Sequence, residues 1–137
     1  PEEVIAVTKR ARELGVKNII VTHGLTNVPG LTLAQAKQVV DMGGIIEVCF
    51  LQFQAGPNAP LEFLKHWTQI NAKNVAQAIK EFGAGGLVIS SDLGQSANMN
   101  HPDGIEVAIG AMKREGISDA DIDTMMRKNP AKLLGLN

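Results

Sequence analysis

Two groups able to do chemistry stand where an apolar run stops. Leu87, Val88 and Ile89 follow the Gly85-Gly86 pair and lead straight into Ser90, Ser91 and Asp92, and the run Asn18 to Thr22 ends on His23-Gly24. A buried strand that ends on a polar side chain is how an α/β protein presents a ligand or a proton acceptor at its sheet edge. An imidazole and a carboxylate converging there suit Zn²⁺ or another borderline divalent ion such as Mn, Fe or Ni. They also suit a water made acidic enough to attack a carbonyl or phosphoryl centre. A catalytic metal site ordinarily takes three or more ligands from the protein. On spacing alone, therefore, His23 and Asp92 read more readily as hydrogen-bonded strand-end residues.

Other candidates surround this pair. The polar, long loop from Ser91 to His101 offers His101 for substrate or metal and Gln95 and Asn98 for orienting a substrate, each set against an ordinary solvated loop residue. Glu47 sits in the middle of an apolar run and reads as a structural carboxylate; Cys49, two residues on, faces the same way and reads as an inert core thiol. His66 and Trp67 read as helix and packing residues. Gly83 to Gly86 precedes a strand, whereas a dinucleotide-binding fingerprint must follow one. Ser90 and Ser91 lack the Gly-x-Ser-x-Gly elbow of a serine hydrolase.

The elements that position these groups follow from the periodicity. Pro1-Glu2-Glu3 opens a helix whose apolar positions are Val4, Ile5, Val7, Ala11 and Leu14, stopped by Gly15. Thr32 caps a helix to about Met42. A second strand spans Ile45 to Phe50, and a connection rich in Gly, Pro and Asn follows from Gln52 to Pro60. Leu61 to Phe82 reads as helix in two pieces, broken at Thr68 to Asn71. The third strand is Leu87 to Ser90, and a helix runs from Asp103 to Arg114. Ser118 with Asp121 starts another helix, to Lys128. Asn129 then caps again, with Pro130 as a first helical residue of a last short turn.

Three strands each followed by helix make βα units, which right-handed crossovers force parallel. That leaves a small open sheet or a part of a (β/α)₈ barrel, which needs ~250 residues. The chain has 137 residues, enough for one domain, and 45% apolar residues with only 4% aromatic. A core of Val, Ile, Leu, Ala and Met suits parallel strands under helices. Thirteen basic residues against fourteen acidic ones give a net charge of −1, with no electrostatic footprint for nucleic acid or an anionic membrane. A single cysteine rules out an intrachain disulfide and suits a reducing cytoplasm. No apolar run approaches the ~20 residues of a membrane span.

Several segments together carry a family resemblance. They are Val21-Thr22-His23-Gly24, the stretch Ser90 to Gln95 (SSDLGQ), His101-Pro102-Asp103-Gly104, and the ending Met125 to Leu136 (MMRKNPAKLLGL). They look like the closing part of an amidohydrolase-superfamily protein and, more narrowly, of its small, uncharacterised branch of metal-dependent hydrolase-like proteins. The resemblance implies a single partial domain over residues 1–137, the C-terminal part of a (β/α)₈ TIM-type barrel, with the three strands as the sixth, seventh and eighth. It implies that His23 binds metal and that Asp92 both binds metal and shuttles the proton of the attacking water. No His-x-His, expected on the first strand of such a barrel, occurs in the chain.

The expectation is therefore a metal-dependent hydrolase of the amidohydrolase type, its metal-activated water attacking an amide, ester or related carbonyl of a small-molecule substrate. The alternatives are a non-catalytic barrel serving in binding or assembly, and a metal-independent lyase. Half a barrel leaves two open sheet edges, so a missing N-terminal half or another copy of the chain is the expected partner.

Overall fold

A computed structural model describes residues 1–136. The elements run α1 (Glu2–Glu13), β1 (Ile20–Val21), α2 (Leu33–Asp41), β2 (Ile45–Cys49), α3 (Ala72–Phe82), β3 (Leu87–Ser90), α4 (His101–Arg114), α5 (Asp119–Asp123) and α6 (Asn129–Leu133). Short 3₁₀ segments lie at Phe50–Gln54, Glu62–His66 and Ala84–Gly86. The capping residues act locally. Thr32 accepts the Gln35 amide while the Gln35 side chain returns to the Thr32 amide. Asn71 and Ser118 accept the amides three residues on, from Asn74 and Asp121. Gly15 has φ +85, so the first helix ends where the sequence predicts.

The strands are parallel and in sequence order, β1-β2-β3. Ile20 and Val21 lie beside Ile45 and Ile46, and Ile46 to Cys49 lie beside Leu87 to Ser90. This corrects the expected barrel. Among the described residues the three strands form a small open α/β sheet with β1 and β3 as its edges, not the expected part of a (β/α)₈ TIM-type barrel. The strands are two, five and four residues long. Closure requires a sheet to continue, tilted and staggered, until its first and last strands pair; here pairing stops at three.

Pleating puts Val21, Ile46, Val48, Leu87 and Ile89 on one face. These five join Ala36 and Val39 of α2, Val75 and Ala78 of α3, Met112 of α4, Ile122 of α5 and Met125 in the main core. At about 25 cal/mol per Å² of apolar surface removed from water, this cluster is the main source of stability. A second cluster, with Phe50, Leu51, Leu64, Leu93 and Ala108, fills in beneath the loops that leave the carboxyl ends of β2 and β3.

Two helix expectations change. The helix predicted from Asp103 starts at His101, because Asn100 accepts the Asp103 amide and Pro102 fits the first turn. The break expected at Asn129 does not occur: α5 passes through a π turn, Thr124–Lys128, directly into α6. Pro130 has no N–H for the carbonyl four residues back, and its ring crowds that carbonyl. The helix widens instead, and the Asn129 amide reaches back to Thr124. Asn129 is therefore not a cap. It is buried, and its Nδ2 donates to the carbonyls of Ala84 at 2.9 Å and Leu87 at 2.6 Å, tying α6 to the start of β3.

Candidate functional site

His23, Cys49 and Asp92 lie at or just past the carboxyl ends of β1, β2 and β3. One ligand atom from each falls within 4.8 Å of the other two. The sheet register explains this. Cys49 is level with Ser90, so Asp92 follows two residues beyond it, and β1, two residues long, delivers His23 to the same edge. His23 Nε2 is 3.5 Å from Asp92 Oδ2. Around a tetrahedral Zn²⁺, N, S and O ligands sit about 3.3–3.6 Å apart, given the usual metal–ligand lengths. The His23–Asp92 pair already has that spacing, and Cys49 needs to close on it by at most about an ångström to share an ion.

The backbone marks both expected residues. His23 has φ +58 and Asp92 φ +50, the left-handed values found at no other described residue except glycine. A side chain held there costs about 1–3 kcal/mol, and such residues gather where function fixes a geometry. A one-residue left-handed step turns each chain sharply off its strand, and Gly24 and Gly94 flank these turns. Gly24 lies against Ile46: a Cβ there would come within 2.8 Å of Ile46 Cγ2.

Burial grades across the cluster. Cys49 is 2% exposed, while the side chains of His23 and Asp92 are 23% and 39% exposed. The site therefore opens to solvent on the Asp92 side. Burial pushes the Cys49 thiol up to about 12, against the Ser90 hydroxyl, which donates to Sγ at 3.3 Å and favours the thiolate; the Glu47 and Asp92 carboxylates push it further up. At neutral pH Cys49 is a thiol and no nucleophile. A bound cation would reverse this, since a coordinating thiol is deprotonated outright.

Around His23 the support is close. Gln52 Nε2 lies 3.0 Å from Nδ1, and the Trp67 ring packs edge-on with centroids 5.4 Å apart. Asn27 holds the Trp67 segment, donating to the His66 carbonyl and accepting the Thr68 amide. Trp67 is thus a wall of the site as well as a packing residue.

The remaining expected residues build the loop after β3. Gln95 Nε2 donates to the Asp92 carbonyl at 3.1 Å, Asn98 Nδ2 donates to Gln95 Oε1 at 2.7 Å, and His101 Nδ1 lies 2.7 Å from Ser91 Oγ. Gln95 and Asn98 brace the turn that carries Asp92, and His101 pins the loop to Ser91 from the start of α4. His101 is not among the grouped ligand atoms. Asn98 Oδ1 is buried without a hydrogen-bond partner, which leaves one acceptor in the loop free.

From the sequence Cys49 reads as an inert core thiol and Gln52 as the start of the connection that follows the second strand; the structure sets both at the site. Cys49 could have been found from its place at the tip of an apolar strand parallel to those ending in His23 and Asp92. The burial of Gln52 leaves no mark in the sequence, because it depends on the 3₁₀ turn Phe50–Gln54.

Residues 1–47 match a family described as a family of unknown function (DUF6282), a stretch from α1 into β2 that contains His23 and neither Cys49 nor Asp92. No curated protein and no solved structure matches the chain.

Proposed function

We propose that His23, Cys49 and Asp92 hold a divalent ion, Zn²⁺ first, in a hydrolase that acts on an amide, ester or related carbonyl bond of a small molecule. The observation that carries this reading is the meeting of three ligand types from three strand ends within 4.8 Å. A thiolate, an imidazole and a carboxylate form a borderline donor set that suits Zn²⁺ better than Mg²⁺ or Ca²⁺. Three protein ligands leave the fourth tetrahedral position for water, the pattern of catalytic rather than structural zinc.

When bound, the ion supplies an acidified water and polarises the substrate carbonyl. Cys49 and His23 hold it from the buried side. Asp92, the most exposed of the three, would help hold the ion and accept the proton of the attacking water. The reading rests on the donor set and not on a barrel, which this open sheet does not form.

Two measurements test it. Metal analysis of carefully purified protein is expected to give stoichiometric Zn, Mn, Fe or Ni; its absence favours a binding module without chemistry. Asp92→Asn keeps an oxygen ligand but loses the proton acceptor, so it is expected to abolish hydrolysis across a panel of ester and amide substrates. Unchanged turnover would sink the mechanism.

A further inference from the structure

Gln52 is the only fully buried residue with a side-chain amide, at 0% exposure among the described residues, and its orientation is set by partners whose chemistry leaves no choice. Its Oε1 accepts the backbone amide of Cys49 at 3.1 Å; an amide N–H only donates. Its Nε2 reaches Thr26 Oγ1 at 3.4 Å, and that hydroxyl points its own hydrogen at the carbonyls of His23 and Val28, at 3.0 and 3.1 Å. The same Nε2 faces His23 Nδ1 at 3.0 Å. Turning the amide over would set a donor against the Cys49 N–H, so the Nε2–H bonds point to Nδ1 and Thr26. His23 Nδ1 must then accept, and the ring proton sits on His23 Nε2, facing Asp92 Oδ2 at 3.5 Å.

We infer that Gln52 is a positioning residue that holds His23 in its Nε2–H tautomer in the metal-free protein, and that it thereby restrains metal binding at Nε2. An ion on Nε2 requires the proton to move to Nδ1. There it would meet the Gln52 N–H, and relief requires the buried amide to turn and give up its bond to the Cys49 amide. Metal loading is thus coupled to a rearrangement of Gln52, with Cys49 at one end of the amide and His23 at the other. The chemistry also identifies the side chain that would reverse the bias. A carboxylate at position 52 accepts from the Cys49 amide with one oxygen and from His23 Nδ1–H with the other, leaving Nε2 bare toward the ion. This is the carboxylate–histidine arrangement that raises ligand basicity in metal sites.

The tautomer stands without the metal; only the affinity consequence rests on the function proposed above. Two readouts keep them apart. Long-range ¹H–¹⁵N correlation spectra of metal-free protein at pH 8 are expected to show His23 with Nε2 protonated in the wild type. They are expected to show it with Nδ1 protonated in Gln52→Glu and as a mixture in Gln52→Met, which keeps the shape and removes the donor. Titration with Zn²⁺ against a competing chelator is expected to give Gln52→Glu an affinity about ten- to a hundredfold above wild type. A wild-type spectrum with Nδ1 protonated overturns the inference with no variant needed. So does a Gln52→Glu protein whose tautomer is unchanged, or one that binds Zn²⁺ no tighter than a wild type that binds it. A wild type and variant that both ignore Zn²⁺ while the tautomers shift as expected overturn the metal reading and leave Gln52 as the residue that orients His23.

Discussion

The left-handed backbone at His23 and Asp92 is open to a direct thermodynamic test. At φ +58 and +50, an L-residue's Cβ crowds its own carbonyl, a strain that glycine lacks. Replacing His23 by Ala and by Gly removes the imidazole in both cases, so the two variants differ only in the Cβ; the same holds for Asp92. Elsewhere Ala is the more stable of such a pair because it restricts the unfolded chain, but where φ is positive the order reverses. The expected gap is about 1 kcal/mol in favour of Gly at each position. With an unfolding entropy of about 2.1 cal/mol/K per residue, a chain of this length gains about 3–4 °C in Tm per kcal/mol. His23→Gly should therefore melt about 3–4 °C above His23→Ala. The double Gly variant should exceed the double Ala variant by about 7 °C, since the backbone terms add once the side chains in contact are gone. Ser90 is not among the positive-φ residues and is the control: there Ala should be the more stable by about 0.5–1 kcal/mol. Thermal and urea unfolding of the six single and two double variants measures all of this. Ala variants as stable as the Gly variants at both positions 23 and 92 would refute the claim that the site stores backbone strain.

Two further outcomes are expected. Asn129→Leu removes the donor to the Ala84 and Leu87 carbonyls, of which Ala84 still accepts the Leu87 amide, so urea unfolding should show a loss of about 1–3 kcal/mol; a loss under about 0.5 kcal/mol would mean the two bonds contribute nothing net. Cys49 should impose an alkaline limit on stability. Below its ordinary value of 9.0 the thiol is protonated both folded and unfolded, but between there and about 12 only the unfolded chain ionises. Stability contributed by the buried thiol is therefore full below pH 9 and falls by up to about 1.4 kcal/mol per pH unit above it. The chain has no Tyr, so comparing metal-free wild type with Cys49→Ala between pH 8.5 and 10.5 isolates the effect. Parallel slopes for the two would contradict it.

Where structure is decided by neighbours in sequence, it was legible. Thr32 and Ser118 cap their helices with side chains that reach three residues, and the apolar stops before His23 and Asp92 marked the strand ends. Closure was not legible, because a βα unit has the same local signature in an open sheet as in a barrel; only the number and staggering of strands distinguishes them. The uninterrupted helix through Asn129 was missed because Asn followed by Pro reads as a cap and first turn, while a π turn that absorbs the missing N–H leaves no mark in the sequence. Of the site, His23 and Asp92 could be read from their own positions, Cys49 only by comparing its strand tip with theirs, and Gln52 not at all. The thiol's role appears only once β2 is set in register between its neighbours, and Gln52 is placed by burial alone.

β1 gives this arrangement a dynamic consequence. It pairs through two residues, Ile20 and Val21, at the edge of the sheet, yet it carries one of the three grouped side chains. The other two stand on the longer β2–β3 ladder. Fraying of so short an edge would detach His23 while leaving Cys49 and Asp92 in place, so the intact cluster is populated only as far as β1 stays docked. Occupancy of the site and protection of the Ile20 and Val21 amides from hydrogen exchange are then one equilibrium observed at two places. Any ligand that needs all three groups tightens the edge of the sheet as it binds.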